Sequence, residues 1–335
     1  MNCITMRVTT WSVCLGVVIA GTALASKPSR ANSFPSKPIT IVVPYSAGGP
    51  VDNYIRAFGT KLSESVKQPV IIINKPGANE IIAAEFVAKG DASGHTLLAG
   101  TESALTMNPH LYKKLPYNAK TDFAPISRMV NIPLVFFVPK ASPANNLKEF
   151  VAEAKKAGAS GKHLTYGSSG TGGIAHLPMA MFEKQEGVKM SHVAYKGAAP
   201  LIPDVISGHV DSAVLAVSVI EQHVKSGKLK ALGVSSEQRS AALPDVPTFK
   251  EQGIKDIHAA FNIGLLAPAA TPPGVLAKLA AEVQRITTAE DFRAKNVEPF
   301  SFVAVGSTPD EFTAWLEKDY LIQAERVKTS GASLD

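Results

Sequence analysis

The sequence predicts an α/β fold built from two doubly wound lobes, with a hinge between them and a cleft where they face each other. Short apolar, β-branched runs of buried-strand type alternate with longer segments whose apolar residues recur at helical spacing. Turns rich in glycine, proline and hydroxyl residues separate the two kinds of segment. The chain has 335 residues, 45% of them hydrophobic, so it is long enough to bury the cores of two such lobes.

Residues 1–25 differ from the rest and are predicted to be a secretory signal peptide. The apolar run at 13–20 is too short to make a membrane span, and a small-x-small cleavage pattern follows it at 23–25. Both cysteines, Cys3 and Cys14, lie within this segment. We therefore expect a mature protein without thiols or disulfides, located in the bacterial periplasm.

The first lobe is expected to comprise residues 34–131 and 262–335. Its first part contains three apolar strands, and amphipathic helices follow the first two of them. Its last part begins with a strand that returns from the second lobe, and two helices follow. The predicted strands lie at 39–43, 70–73, 96–99 and 261–266, and the helices begin near Val51, Ile81, Pro273 and Pro309.

The second lobe is expected to comprise residues 132–261. It repeats the alternation of buried strands and amphipathic helices. The segment 244–249 is too rich in proline for a helix or a central strand, so a surface loop is predicted there. The strands are expected near 134–139, 164–167, 213–217 and 229–234, and the helices near 147–154, 176–182 and 201–206.

The charge pattern and the absence of catalytic motifs exclude several classes of function. The net charge is +6, but no basic helix and no stripe of basic and aromatic residues occurs, so no nucleic-acid partner is expected. The sequence has no dinucleotide fingerprint and no phosphate loop, and residues 167–170 do not form a serine-hydrolase elbow. The eight histidines show no metal-ligand spacing, so no cofactor, metal or catalytic residue is predicted. His176 and His192 are expected to be hydrogen-bonded structural residues.

Polar or glycine-rich loops follow four of the predicted strands, which points to a binding site. In an open parallel sheet, ligands bind beyond the carboxyl ends of the strands. Gly48 and Gly49 allow a tight turn and Pro50 suits a first helical position, so free backbone amides and a helix dipole would face an anion. Each turn taken alone is also compatible with a simple strand-to-helix connection. Together they favour binding of a carboxylate or phosphate over catalysis. These loops are 45–52, 77–80, 100–103 and 168–173.

Nine short motifs, in a fixed order, extend from residue 35 to residue 273. They lie at 35–39, 43–52, 74–78, 108–117, 122–125, 195–197, 227–232, 243–248 and 267–273. In this order they resemble the solute receptors of tripartite tricarboxylate transporters, also called the Bordetella uptake gene (Bug) receptor family. The resemblance covers nearly the whole mature chain, from about Phe34. It implies a periplasmic-binding-protein-like receptor whose two lobes close on a small organic carboxylate and deliver it to membrane permease subunits, without covalent chemistry.

The chain departs from the family pattern at several positions. Asn79 and Glu80 stand where small residues are usual, and Ala175 stands where the family has a serine. Ile263 replaces the usual aromatic residue of the return strand, although Phe261 lies two positions earlier and faces the same side. Two interpretations of Glu80 stay open: a solvent-facing residue of a first helical turn, which is slightly favoured, or a side chain that meets a donor on the ligand.

The sequence therefore predicts a monomeric periplasmic receptor that delivers an aliphatic or aromatic mono- or dicarboxylate to a tripartite transporter. Two alternatives stay open: an extracytoplasmic sensor that feeds a signalling system, and an exported enzyme. Asp52 is expected to organise the helix start rather than to touch the ligand. The predicted ligand-binding residues are Tyr45, Ser46, Ala47, Gly48, Gly49 and Asp52 in the first wall, Asn79, Glu80, Thr101 and Ser103 beside it, Ser168, Ser169, Gly170, Thr171 and Tyr195 in the opposing wall, and Phe261.

Overall fold

The computed structural model describes Met1 and residues 34–168, 170–195, 197–254, 257 and 259–334. The predicted signal peptide, apart from Met1, and the predicted site residue Ser169 lie outside the described residues. None of the described helices combines the length and the apolar character needed to cross a membrane.

The described part of the chain alternates strands and helices from one end to the other. The strands are β1 (Ile39–Val43), β2 (Val70–Asn74), β3 (Thr96–Gly100), β4 (Phe123–Pro139), β5 (Thr165–Ser168), β6 (Ser191–Ala194), β7 (Ser212–Ala216), β8 (Leu229–Val234), β9 (Ala260–Pro268) and β10 (Val303–Ala304). The α-helices are α1 (Pro50–Val66), α2 (Ile81–Ala88), α3 (Asn108–Leu111), α4 (Leu147–Ala159), α5 (Leu177–Glu186), α6 (Ala198–Ile206), α7 (Val217–Lys225), α8 (Pro273–Thr288), α9 (Glu290–Asn296) and α10 (Pro309–Ser330).

One long strand, β4, belongs to both halves of the sheet. In the first half β1 lies between β2 and β3 in parallel, and β9 pairs antiparallel with β3 and with β4 as far as Pro133. From Leu134 onward β4 pairs instead with β7 and β8, and β7, β5 and β6 continue in parallel. This change of partner lies close to the predicted lobe boundaries at 131/132 and 261/262. The exact division into 34–131 with 262–335 and 132–261 stays a prediction.

The predicted helix at Val51 is confirmed as α1. Gly49 is its N-cap residue in an extended conformation, and Pro50 occupies the first helical position, where its missing N–H costs nothing. The helix ends at Lys67, which adopts a left-handed conformation (φ 55°). Its apolar positions form one face that packs into the core, as the spacing predicts. The buried apolar residues of this face are Val51, Tyr54, Ile55, Phe58 and Leu62.

The first two thirds of β4 were not predicted. The sequence indicates a strand only at 134–139, because Pro125, Arg128 and Pro133 interrupt the apolar pattern of the preceding segment. The pairing with β9 accommodates them through irregularities between Pro125 and Ser127 and between Arg128 and Val130.

The C-terminal helix α10 begins where the sequence predicts it and contacts both halves of the molecule. Thr308 and Glu311 form a capping box, in which each side chain accepts a hydrogen bond from the other residue's backbone N–H. Besides packing on the first half, the helix lies against α5 of the second half, where Lys184 Nζ is 3.2 Å from Glu325 Oε1. Although residues 262–335 are assigned to the first lobe by the sequence, α10 therefore contacts the second half as well.

Candidate functional site

The turn between β1 and α1 is held from inside by Asp52. This side chain is almost completely buried and accepts hydrogen bonds from the Gly48 amide (2.8 Å), Arg56 Nε (2.9 Å) and Asn74 Nδ2 (2.8 Å). Burial raises the pKa of Asp52, but the hydrogen bonds from Arg56, Asn74 and Gly48 more than offset it and leave the pKa below its ordinary value. Asp52 therefore lies in the turn as its organiser.

The prediction that this turn offers free backbone amides to an anion is correct for the helix start but not for Gly48. Gly48 has a φ of +86°, a conformation that costs little only for glycine, and its amide is used by Asp52. The Gly48 amide is therefore not free, contrary to the prediction. The backbone N–H groups of Gly49, Val51 and Asp52 belong to the helix start, where no intrahelical acceptor exists, while Pro50 has no N–H. Ser46 and Ala47 are exposed at the tip of the turn.

The second turn, between β2 and α2, has an unusual left-handed backbone. Gly77 (φ 118°) is followed by three non-glycine residues with positive φ: Ala78 (46°), Asn79 (49°) and Glu80 (73°). Each such residue costs on the order of 1 kcal/mol, so the surrounding contacts must hold the turn. Asn79 donates to Asn108 Oδ1 (2.6 Å), and Asn108 Nδ2 donates to the carbonyl of Asn79 (2.8 Å). This reciprocal pair fixes the turn against the start of α3.

Glu80 points inward, so the slightly favoured interpretation of a solvent-facing residue is wrong. Its side chain is 3% exposed, and it accepts hydrogen bonds from the Tyr45 hydroxyl, the Thr101 hydroxyl and the Thr101 amide (3.1 Å). The left-handed conformation of the turn directs the side chain towards the ends of β1 and β3. Burial raises the pKa of Glu80, although these hydrogen bonds oppose the shift.

An aromatic pair stands next to this carboxyl group. Tyr45 and Phe261 meet edge to face, with ring centroids 6.1 Å apart and an interplanar angle of 83°. Burial and the neighbouring Glu80 raise the pKa of Tyr45 well above its ordinary value, so the phenol stays protonated and acts as a donor. Thr101 is fully buried, and Ser103 follows at the start of a short π-helix. The structure thus brings together Tyr45 of the first wall, Glu80 and Thr101 beside it, and Phe261.

In the second half, Ser168 ends β5 and organises its own loop. The buried hydroxyl donates to the Gly170 carbonyl (2.9 Å) and lies 2.7 Å from His192 Nε2. Thr171 is exposed at the tip of the loop. Gly172 is closely packed, because a Cβ there would lie 2.9 Å from Leu334 Cδ1.

The side chain of Tyr195 does not lie in the opposing wall, where it was predicted, but packs inside the second half of the molecule. Its hydroxyl donates to Asp204 Oδ2 (2.7 Å), and its ring packs with the apolar cluster that contains Leu201 and Val205. Burial and the neighbouring Asp204 raise its pKa to about 12. Only its backbone amide, which donates to the Ser168 carbonyl (2.9 Å), joins the loop of the opposing wall.

Sequence reasoning missed a stack of three rings behind this loop. His176 and His192 stack with centroids 4.0 Å apart, and Tyr166 lies 4.9 Å from His192. His176 Nδ1 accepts a hydrogen bond from the Gly172 amide (3.1 Å), so the expected structural role of the two histidines is confirmed. Burial and the neighbouring His192 lower the pKa of His176 to about 4. The stack depends on strand pairing between β5 and β6, which no local sequence pattern reveals.

The two-half sheet and its strand-end loops define a two-lobed solute-binding protein of the periplasmic-binding-protein class. Solved structures agree. A Rhodopseudomonas palustris protein with adipate superposes with a TM-score of 0.81 at 27% identity, covering 90% of this chain and 100% of that one. MatC from Rhodopseudomonas palustris with bound malate gives a TM-score of 0.76 at 26% identity, covering 88% and 100%.

The family model described as "Tripartite tricarboxylate transporter family receptor" matches residues 54–315, and the chain belongs to this family. A UPF0065 protein of Bordetella pertussis is 35% identical over 282 residues, which is 83% of this chain and 86% of the relative. BugT of the same organism is 29% identical over 334 residues, 98% and 100% of the two chains. The structure of the periplasmic binding protein BugD gives a TM-score of 0.77 at 29% identity, covering 90% and 99%. The resemblance to Bug receptors is thereby confirmed.

Proposed function

We propose that this receptor captures a small organic carboxylate between its lobes and delivers it to the membrane permease of a tripartite transporter. The observation that carries the proposal is the convergence of Tyr45, Glu80, Thr101 and Phe261 beside the Gly49 helix start. Backbone amides and a helix N-terminus suit an anion without any nucleophile or metal. The adipate and malate in two neighbouring structures support a carboxylate as the ligand.

Two features of the first half would act on different parts of the ligand. The start of α1 offers amides to one carboxylate group of the ligand, whereas Glu80 accepts hydrogen bonds from Tyr45 and Thr101 and adds negative charge nearby. A second ligand carboxylate therefore belongs away from Glu80, towards the opposing loop. Asp52 holds the first turn, and Tyr195 holds the opposing loop through its backbone amide. The ligand-contacting residues we propose are Tyr45, Ser46, Ala47, Gly48, Gly49, Asn79, Glu80, Thr101, Ser103, Ser168, Ser169, Gly170, Thr171 and Phe261.

Binding can be tested by a thermal-shift screen of aliphatic and aromatic mono- and dicarboxylates, followed by calorimetry. A ligand at about 100 times its Kd adds about 2.7 kcal/mol to the free energy of unfolding, so the midpoint rises by several degrees. The matched control is the diol or diamide of the best acid, which keeps the chain length but removes the charge. If no acid shifts the midpoint, or if the uncharged control shifts it equally, the carboxylate proposal fails.

Delivery to a transporter is tested separately. Deleting the permease genes should abolish uptake of the radiolabelled acid while the purified receptor still binds it, and fractionation should place the receptor in the periplasm through its N-terminal signal. Uptake that persists, together with a transcriptional response that is lost when the receptor is deleted, would favour the sensor instead. Recovery of a chemically altered acid after incubation with the receptor would favour an enzyme.

A further inference from the structure

A second cavity, of about 650 Å³, lies beside α10, and the proposed carboxylate site does not account for it. Its wall combines α10 with β4, β9, the loop 235–241 after β8 and the segment around β10. We call it the α10 cavity. Four acidic and four basic side chains line it, so its wall has no formal net charge.

The α10 cavity and the Tyr45–Glu80 site lie on opposite faces of β9. Successive side chains of a strand point to opposite faces. Phe261 meets the ring of Tyr45, whereas the next residue, Asn262, lines the α10 cavity and bonds to Glu102. The cavity is therefore a separate place in the molecule and not an extension of the first site.

One face of α10 supplies the polar wall of the cavity. Trp315, Asp319, the adjacent pair Ile322 and Gln323, and Arg326 follow one another at steps of three or four residues, which places them on one side of the helix. These include three buried polar side chains on a single helical face, a composition that helix packing alone does not require.

The two buried acids at the cavity are satisfied inside the protein. Glu102 accepts hydrogen bonds from the backbone amide of Asn262 (3.0 Å) and from its side-chain amide. Asp319 accepts from Thr106 Oγ1 (2.5 Å) and from Gln323 Nε2 (3.2 Å). Neither carboxyl group lacks a hydrogen-bond donor, so the ligand need not pair with them directly.

Two other groups at the cavity lack partners among the described residues. The buried Nε of Arg128 has no acceptor, and the Arg128 guanidinium lies against the face of Trp315, 4.9 Å from the ring centroid. Its contact with Asn262 Oδ1, at 3.5 Å, is at the limit of a hydrogen bond. The fully buried Gln323 also leaves its Oε1 without a donor. Buried polar atoms of this kind are normally paired, so both point to a missing molecule.

The chemistry of these two groups defines the missing molecule. A guanidinium whose face is covered by Trp315 binds a planar carboxylate in its own plane. Gln323 Oε1 requires a donor, and its side-chain amide contacts Asp319, which also faces the guanidinium of Arg326. Because the wall as a whole has no formal net charge, a ligand with one negative and one positive group matches it. We propose that the α10 cavity is a second ligand site for a zwitterionic amino acid, with its carboxylate on Arg128 and its ammonium on Gln323.

A natural fluorophore reports on this cavity. The chain has two tryptophans, Trp11 in the predicted signal peptide and Trp315 in the cavity wall. In the exported form, and in a full chain carrying Trp11→Phe, Trp315 is therefore the single emitter. Titration with each of the common L-amino acids should give a saturable change in Trp315 emission for at least one of them. The N-acetyl and the carboxamide derivative of that amino acid should each bind at least about tenfold more weakly.

Two matched variants locate the binding. Arg128→Lys keeps the positive charge near the buried acids but loses the planar fork, and we expect the amino acid to bind at least about tenfold more weakly. Gly48→Ala alters the carboxylate turn and should leave amino-acid binding within about twofold of the parent. Circular dichroism and the unfolding midpoint show whether each variant is folded.

The inference is overturned if no amino acid changes the emission or gives heat in calorimetry. It is also overturned if Gly48→Ala weakens amino-acid binding and Arg128→Lys does not, because the amino acid then occupies the first site. Equal binding of the N-acetyl and carboxamide derivatives would exclude recognition of a zwitterion. Where Arg128→Lys does not fold, calorimetric stoichiometry decides: an amino acid that still binds at saturating carboxylate supports two sites, and full competition refutes them. If no carboxylate binds in the thermal-shift screen, the amino-acid titration still stands, because the two experiments test different sites.

Discussion

Replacing Glu102 by glutamine should remove a large part of the pH dependence of stability. Glu102 is 2% exposed, and burial together with the nearby Asp319 raises its pKa to about 8. The charges that face it are Asp319 and Arg326 on α10 and Arg128 on β4. The amide oxygen of a glutamine can still accept from Asn262, so the substitution mimics the protonated acid.

The sign follows from proton binding in the two states. The pKa of Glu102 rises from 4.5 in a model peptide to about 8 in the folded protein, so between these pH values the folded state holds a proton that the unfolded state has lost. The free energy of unfolding therefore falls as the pH rises through this window, by at most about 1.4 kcal/mol per pH unit for this group. Glu102→Gln lacks this titration. The difference between its free energy of unfolding and that of the parent should be small near pH 5 and should favour the variant most near pH 8.

The assay is urea unfolding at several pH values from 5 to 8, with the exposed Glu290→Gln as the matched control. The control should follow the parent profile. The Glu102→Gln profile should be flatter, although Asp319, whose pKa burial also raises, keeps part of the slope. Parallel profiles for Glu102→Gln and the parent would refute the reasoning, since Glu102 would then titrate normally in the folded protein. A uniform loss at every pH would show that the carboxylate oxygens matter more than the charge.

Three further outcomes are expected. Gly48→Ala should lower the free energy of unfolding, measured with urea, by about 1 kcal/mol, because residue 48 has a φ of +86°. Gly49→Ala should change it little, because Gly49 has an extended backbone and open space for a Cβ. Equal losses in the two variants would contradict this reasoning. The contribution of His176 to stability should be lost as the pH falls from 6.5 towards 4, because its pKa in the folded protein is lowered to about 4 and unfolding lets it take up a proton; this slope opposes that of Glu102. The free energy of unfolding of His176→Gln, relative to that of the parent, should therefore rise as the pH falls over this range, and a constant difference would disprove the assignment. Glu80→Gln should bind dicarboxylates at least about threefold more tightly by calorimetry, because a buried like charge is removed; unchanged affinities would place the ligand away from Glu80.

The sequence predicts many of the alternating elements because those strands and helices carry their own apolar period. Helix α1 and the capping box of α10 illustrate this, since both depend on residues within a few positions of one another. The orientation of Glu80 could not be predicted in the same way. It depends on a left-handed run of non-glycine residues that Asn108, some thirty positions away, holds in place.

The same distinction applies to the site and to the α10 cavity. The strand-end loops were predictable, because glycine and hydroxyl residues after an apolar run are a local signal. Contacts such as Glu102 with Asn262, 160 positions apart, follow only from the pairing of β3 with β9. The outward turn of Tyr195 towards Asp204 is likewise a property of the packed lobe, since an aromatic after a strand is compatible with either side.

The last described residues join the two halves of the molecule. The Leu334 amide donates to the Leu111 carbonyl of α3 (3.1 Å), and the side chains of Leu334 and Leu111 both lie against Gly172 in the loop after β5. Three segments that are far apart in the sequence therefore meet at one point. Any movement of the loop after β5 relative to α3 must break this apolar contact and expose the two leucines to water.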